Sequence, residues 1–473
     1  MIQRPAGGRM YRYTRFALCF ASGMCLLAAN TVTQSLAQTA TDQAAKKTAR
    51  PQVNAKAEAV IQAKRKQLFT RMLSQPDDLD TAFQYATLSI RVGDLEAAIS
   101  TLERMLIFSP GLPRLQLELG LLYYRLSAYT TAQTYFEAAI SGENVPEEVR
   151  AKVNQYLTGI VQAGKLTTYT AQTRVGARYQ TNANRGPNGE IIILNGLPFE
   201  LNANSQATAD GNAYTSGKFH VSRKLPQQGT SLEFDLVSYG SKQFELEQFD
   251  LAQAEMTLGP AFDLGRFGID NAALGVYGIA AGAFLHEDFY ASFFGAGTRV
   301  VSRPHARLST STKLEYRYKT FYNSPTVPSA SDRDGHEIRF LSSGQYLVSQ
   351  TRALNYSAGI TRSLASADYL SFTSYGAQIG SNFAFDSPFK DKQKWVFGTS
   401  VGVLYKQYDD PDPIVNISES QEDMEYIAQA SLNIPLKNKI SLLGEVDYRY
   451  VDSNYTTREH NNFGTTLSLV KIW

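Results

Sequence analysis

Residues Ala306–Phe321 read ARLSTSTKLEYRYKTF, and their two-step rhythm decides the fold. Side chains alternate across an extended chain. Ala306, Leu308, Thr310, Thr312, Leu314, Tyr316, Tyr318 and Thr320 therefore share one face, and Arg307, Ser309, Ser311, Lys313, Glu315, Arg317 and Lys319 share the other. Residues 440–450 repeat the rhythm: Ile440, Leu442, Gly444, Val446, Tyr448 and Tyr450 alternate with Ser441, Leu443, Glu445, Asp447 and Arg449. In a water-soluble sheet the polar face looks outward over a dry core. Here the strands are long, numerous and aromatic at their ends, and the polar face carries both signs of charge. Alternation of this kind over roughly ten residues, repeated between turns, marks a transmembrane barrel with lipid outside and water inside. Closure is required because every backbone group in lipid must be paired.

Working outward, fourteen segments carry the pattern: 168–180, 213–223, 230–239, 249–259, 270–283, 289–301, 306–321, 336–348, 351–363, 370–383, 393–408, 423–434, 439–451 and 461–473. Short connections (Lys224–Gly229, Ser302–His305, Ser349–Gln350, Pro435–Asn438) alternate with long ones (Thr181–Asn212, Tyr322–Gly335, Asp409–Glu422, Asp452–His460), and the long ones are expected at the cell surface. The apolar run Ala272–Phe284 could instead be a buried helix. Its glycines at 275, 278 and 282, followed by His286-Glu287-Asp288, favour a hairpin. Trp473 follows Lys471, Leu469, Leu467, Thr465 and Phe463 at two-residue steps, resembling the signal read by the barrel-assembly machinery. Lys471 departs from that pattern, and its stem can lie along apolar surface with the amine in water.

Before Thr168 the period is helical. Shifting residues 79–112 by 34 aligns Tyr85 with Leu119, Ala86 with Gly120, Ala98 with Ala132 and Leu102 with Phe136. Small residues recurring where paired helices touch, at a period of 34, are the tetratricopeptide signature. Pro110 and Pro146 fall near the unit ends, and a further helix over about Glu147–Gln162 places Val149, Val153, Tyr156 and Leu157 on one face. Two repeats are few for a continuous core, so residues 58–77 are expected to add a helix and the last helix to dock elsewhere. Such repeats bind peptides or proteins in a concave groove, for which Tyr85, Tyr123, Tyr124 and Arg150 are the candidates; a structural spacer is the alternative.

The N-terminus carries Arg4, Arg9, Arg12 and Arg15, then the apolar run Phe16–Ala29 and Ser35-Leu36-Ala37. This order describes a secretory signal peptide ending before Gln38. Both cysteines, Cys19 and Cys25, lie within it, which leaves no thiol chemistry in the exported chain. The expected organisation is a signal peptide over 1–37, a flexible lead-in over 38–57, a periplasmic tetratricopeptide-like helical domain over 58–166 and an outer-membrane β-barrel over 167–473. The fold class is α+β multidomain: a small all-α domain followed by a 14-stranded antiparallel transmembrane β-barrel. The 46 basic residues against 44 acidic ones give +2, so no global basic field recruits nucleic acid.

No catalytic, cofactor or metal site is expected. Gly398-Thr399-Ser400-Val401-Gly402 matches the G-x-S-x-G string of hydrolases, but that string needs a strand-to-helix elbow, and here it sits inside a strand with Gly398, Ser400 and Gly402 toward the lumen. His220, His286, His305, His336 and His460 lack ligand spacing. Asp332-Arg333-Asp334-Gly335 and Asp409-Asp410-Pro411-Asp412 read as solvated turns rather than calcium loops.

A secretory signal, a short tetratricopeptide domain and a fourteen-stranded barrel together resemble the surface lipoprotein assembly modulators, the Slam family. Pro146-Glu147-Glu148-Val149-Arg150 leading to Tyr156-Leu157, and Asn182-Ala183-Asn184-Arg185-Gly186-Pro187 after the first strand, carry the likeness over residues 80–473. The family stretch reads Asn-x-Asn followed by Ala-Pro, so Asn182, Asn184 and Pro187 match and Gly186 departs. The resemblance implies an outer-membrane translocator that carries lipoproteins or related secreted proteins from periplasm to cell surface. Its partners would be that client, outer-membrane lipid and the assembly machinery. The polar path would then run past Arg174, Arg178, Lys218, Glu233, Asp235, Glu255, Arg299, Lys313, Glu315, Arg317, Arg339, Glu445, Asp447 and Arg449. Asn182–Pro187 would form a rigid turn or part of a plug. An exopolysaccharide export barrel and a porin-like channel with an accessory domain are the alternative readings.

Overall fold

The computed structural model describes residues 55–473 apart from 110–111, 127, 142–144, 203–204, 228, 270 and 390–392. The export signal, lead-in residues 38–54 and Pro110 lie outside the described residues. Two units divide the described chain at Leu166/Thr167.

Among the described residues the first unit has six helices: α1 (Ala55–Ser74), α2 (Leu79–Val92), α3 (Leu95–Phe108), α4 (Pro113–Arg125), α5 (Tyr129–Ile140) and α6 (Glu147–Gly164). Helix α1 starts at Ala55, three residues inside the stretch read as lead-in. Asp78 caps α2 by accepting the Thr81 N–H at 3.0 Å, and Asp94 caps α3 by accepting the Ala97 N–H at 3.1 Å. Gly93, at φ 82°, ends α2 in the left-handed conformation that glycine tolerates. The repeat has a packing cause. Ala86 and Leu102 meet in one helix pair; in the next, Gly120 faces Phe136, whose ring lies 2.6 Å from where a Cβ on residue 120 would sit. The larger ring thus needs the smaller partner. Two cores result, one joining Met72 of α1 with Tyr85, Leu102 and Leu119, the other joining Phe136 with Val153 and Ile160 of α6. Flanking helices thereby supply the burial that two repeats lack.

The second unit begins with β1 (Thr167–Gln180), followed by a small hairpin of β2 (Ile191–Leu194) and β3 (Leu197–Glu200). Then come β4 (Asp210–Lys224), β5 (Thr230–Gln243), β6 (Leu251–Asp263), β7 (Ala272–Leu285), β8 (Asp288–His305) and β9 (Leu308–Phe321). The rest are β10 (Gly335–Leu347), β11 (Arg352–Ala365), β12 (Phe372–Asp386), β13 (Lys394–Tyr408), β14 (Glu422–Pro435), β15 (Ile440–Ser453) and β16 (His460–Ile472). All but β2 and β3 form one closed antiparallel barrel of fourteen strands, with β1 pairing both β4 and β16. The closing β1/β16 ladder runs only from Gln172↔Ile472 to Gln180↔Gly464. No described helix is long and apolar enough to cross a membrane.

Two readings of the sequence change, and the one for Ala272–Phe284 is kept. Strand β8 continues to His305, which pairs with Leu308 after an irregularity at Ser302, so the tight turn is Ala306-Arg307 and not Ser302–His305. Ala272–Leu285 is strand β7, turning at His286 with φ 55°. Within Thr181–Asn212, β2 and β3 fold about Asn195-Gly196, whose φ values of 49° and 80° suit a tight hairpin turn.

The wall is apolar outside. Val175, Leu258, Phe294, Leu314, Ile338, Ile379, Val401, Val446 and Leu467 are all exposed. We call the rim where β1 begins the near end and the opposite rim the far end. Exposed tyrosines ring the far end (Tyr179, Tyr318, Tyr375, Tyr426, Tyr448), while Tyr169, Tyr346, Phe383, Phe397 and Trp473 ring the near end. An apolar band between two aromatic girdles is the surface of a membrane-embedded barrel. Lys471 lies over the Trp473 ring at 5.2 Å and donates to the Asn438 carbonyl, which accommodates its charge at the rim.

Candidate functional site

The inward faces of β5 to β9 make the most detailed part of the lumen. Glycines line its floor. A Cβ on Gly259 would stand 1.9 Å from the Val276 carbonyl oxygen, and one on Gly295 would stand 2.0 Å from that of Tyr316, so only glycine lets these backbones cross so closely. A Cβ on Gly297 would meet Glu315 and Tyr277 at 2.9 Å. The cleared space is filled by long side chains. From β8, Arg299 donates to Glu233 at 2.5 Å and to Asp235 at 3.3 Å on β5, three strands away. From β9, Arg317 donates to Glu255 on β6 at 2.5 and 3.1 Å and to Glu315 at 2.8 Å. Tyr277 donates its hydroxyl to Glu315 at 2.9 Å, and His220 sits 2.7 Å from Asp235.

The closing seam repeats the device. Small residues Gly464 and Ser468 on β16 leave room for two β1 arginines to reach over it to β15. Arg174 pairs with Glu445 and also donates to Ser468 at 2.9 Å. Arg178 pairs with Asp447 at 2.8 Å, and a Cβ on Gly464 would lie 2.7 Å from the Asp447 Oδ1. These bridges tie together strands that share no backbone ladder. Further round, Glu337 accepts from Lys319 at 3.1 Å and from Arg339, while Arg449 pairs with Glu425 at 2.7 Å. Glu315, Arg317, Glu337 and Arg339 are only 3–7% exposed, as little as core residues. Charges so buried are retained only when paired and hydrogen-bonded.

Of the path residues expected from sequence, Arg174, Arg178, Glu233, Asp235, Glu255, Arg299, Glu315, Arg317, Arg339, Glu445, Asp447 and Arg449 are members of these pairs. Lys218 lies opposite Gln172 in the β1/β4 ladder and Lys313 opposite Arg299 in the β8/β9 ladder. Glu337, Glu425, Lys406 and Tyr277 were missed, although each occupies the inward phase of its strand. Ser400 also faces inward, accepting from Gln378 at 2.9 Å in the middle of β13 with no elbow. Among the described residues, no group of three or more His, Cys, Asp or Glu is placed to hold a metal. Asp409 pairs with Arg362, and Asp334 accepts the Phe321 N–H.

At the far end, Asn182–Pro187 forms a knot. Asn182, 2% exposed, donates to the Gly186 and Asn461 carbonyls and accepts the Gly186 N–H at 2.9 Å. Asn184 donates to the Gln206 carbonyl and accepts the Thr208 N–H. Pro187 is buried. The departure at Gly186 has a physical reason: a Cβ there would stand 2.6–2.7 Å from the Gln206-Ala207 backbone. The two asparagines thus tie 182–187 to Gln206, Thr208 and β16.

The four groove candidates sit differently. Tyr85 is core, 8% exposed, against Phe69 and beneath Arg65. Tyr124 packs edge-on to Tyr129 and Tyr156 in the second core. Arg150 donates to the Ile140 carbonyl at the end of α5, a capping role. Tyr123 is half-buried, stacks on Tyr135 and donates to Glu103 at 2.6 Å. That hydrogen bond, with partial burial, pushes its phenol up to about 12. These four therefore do not line one open groove.

No family model matches the chain, and no curated protein matches it by sequence. Among solved structures the chain is similar to one described as a bacterial polysaccharide outer membrane secretin, at 9% identity and a TM-score of 0.35, over 64% of this chain and 98% of that one. A FadL homologue from Pseudomonas aeruginosa is similar at 10% identity and a TM-score of 0.35, over 65% of this chain and 90% of that one. The type III secretion translocator chaperone SycD of Yersinia enterocolitica is similar at 13% identity and a TM-score of 0.21, over 22% of this chain and 74% of that one.

Proposed function

We propose that this protein is an outer-membrane translocator that moves lipoproteins or related secreted proteins from periplasm to cell surface, as its likeness to the surface lipoprotein assembly modulators implies. The observation that carries the reading is the union, in one chain, of a tetratricopeptide-like helical unit with a closed barrel whose lumen is lined by paired charges of both signs. The helical unit holds an incompletely folded client in the periplasm. Once pairs part or the wall moves, the lumen gives it a polar route in which charges of both signs stand close together, so that neither sign is favoured. Client folding or capture outside supplies the driving force.

An open porin-like channel fits less well. Water-filled pores leave their lining accessible, whereas Arg317, Glu315, Glu337 and Arg339 are buried among one another. Passage then requires the lumen pairs to part or the wall to move. The test is deletion of residues 55–164 behind an intact export signal. A barrel that still assembles but leaves the client off the surface supports translocation; normal surface exposure of the client overturns it. Large steady conductance in planar bilayers, independent of any client, would favour the porin.

A further inference from the structure

The two rims of the barrel carry opposite charge. The connections at the near end, residues 225–229, 264–271, 306–307, 348–351, 387–393 and 436–439, contain six Lys or Arg against two Asp. Those at the far end, residues 181–209, 244–250, 286–287, 322–334, 366–371, 409–421 and 454–459, contain fourteen Asp or Glu against three Arg. The outer wall has the same polarity. In the outward phase of its strands the near end bears Arg223, Arg352 and Lys471 and no acid. The far end bears Lys242 and Arg362 together with Glu422 and Asp452. Both far-end cations are already paired, Lys242 with Asp250 at 3.2 Å and Arg362 with Asp409 at 2.6 Å. Among the described residues no carboxylate pairs with the near-end three.

Their depth is fixed by the aromatic girdle. Arg352 lies over the Phe383 ring and Lys471 over the Trp473 ring, each at 5.2 Å. Arg223 follows by two residues Val221, the ladder partner of girdle residue Tyr169. Girdle aromatics sit at headgroup level. The three cations therefore stand on the lipid side of the wall at the depth of lipid phosphates. Phase and charge select the occupant. A client threading the lumen meets the inward phase, and a second copy would set cation against cation. Lipopolysaccharide phosphates at the far end would meet paired cations beneath an acidic rim. The near end has the shorter connections, as the periplasmic rim of such barrels does, so the lipid around it is phospholipid.

We propose that Arg223, Arg352 and Lys471 bind the phosphates of anionic phospholipids, which enriches the near-end lipid shell in them and sets the depth at which the barrel sits. The proposal rests on the translocator reading only in turning the near end toward the periplasm. The lipid preference is measured without a client and stands if that reading fails. Trp395 and Trp473 both lie at the near end and report on it. The full chain in phosphatidylcholine vesicles is mixed with rising fractions of brominated phosphatidylglycerol or brominated phosphatidylcholine, and quenching of tryptophan fluorescence gives their relative affinity. The expected result is about a fivefold preference for phosphatidylglycerol, which shrinks at about 1 M salt. Both are read on the native chain without any variant. Arg223→Gln/Arg352→Gln/Lys471→Gln should bring the two lipids to parity, while Lys242→Gln/Arg362→Gln at the far end should leave the preference in place. Unchanged heat modifiability on gels verifies that both variants retain the barrel. Equal quenching by the two lipids in the native chain, a preference that persists in the triple variant, its equal loss in the far-end variant, or loss of lipopolysaccharide retention in the triple variant in place of the phosphatidylglycerol preference would overturn the proposal.

Discussion

Replacing Arg317 with leucine tests whether the lumen pairs hold the wall together. Arg317 and Glu315 are 5% and 4% exposed, so the substitution strands the Glu315 carboxylate in a site water scarcely reaches. Removing one partner of a buried pair costs about 3–5 kcal/mol. Tyr277 still donates to Glu315, which offsets roughly 1 kcal/mol. Glu255, whose side chain is 31% exposed, rehydrates and adds little. The expected loss is therefore about 3 kcal/mol. Adding Glu315→Gln removes the stranded charge and should recover about 2 kcal/mol. Urea unfolding in lipid vesicles, followed by fluorescence of Trp395 and Trp473, the chain's two tryptophans, measures both variants. A loss below about 1 kcal/mol in the single variant, or equal instability in single and double, would refute the assignment of Glu315 as a buried, ionised partner.

Gly186→Ala drives a Cβ into the Gln206-Ala207 backbone. It should cost about 1–3 kcal/mol locally, read as faster proteolysis of 182–209 with the barrel intact. Asp78 is held below the ordinary carboxylate range by hydrogen bonds from the Thr81 hydroxyl and N–H. A depressed folded-state value contributes stability that is fully present above the unfolded pKa of about 4 and is lost as pH falls through the folded value. The protection factor of the Thr81 amide, with the intrinsic pH dependence of exchange divided out, should therefore stay high at neutral pH and fall below about pH 4, and Asp78→Asn should abolish that fall. Tyr123 is shifted the other way, to about 12. Its contribution is present below the unfolded value of about 10 and lost as pH climbs past 12. Glu103→Gln should bring its ultraviolet titration back toward the ordinary range.

The wall was legible because its signal is local. Each strand carries its own two-step phase, and the phase that places Glu315 and Arg317 inward and Tyr316 and Tyr318 outward survives errors of one or two residues at the ends. The Ala306-Arg307 turn escaped because Arg307 keeps the phase while leaving the ladder. The β2/β3 hairpin was legible in Leu194-Asn195-Gly196-Leu197 yet was absorbed into a long connection. The bridges were not legible. Arg299 and Asp235 belong to strands three apart, and only barrel closure and stagger decide that they meet. Glycines such as Gly259 and Gly464 read as empty space when they are what lets arginines cross. In the helical unit, periodicity placed Tyr85 on the right helix, but which side is covered depends on α1, whose Phe69 and Arg65 close over it.

The most direct measurement is the accessibility of single cysteines along β9 and β15 in intact outer membranes. Cys19 and Cys25, the native cysteines, both fall in the segment read as the export signal. Cysteines at 311, 313 and 445 should react with a small water-soluble maleimide, whereas those at 314, 316, 446 and 448 should stay unreactive until detergent strips the lipid. Reaction at the second set without detergent, or at both sets equally, would contradict a wall with lipid outside and a water-lined path within.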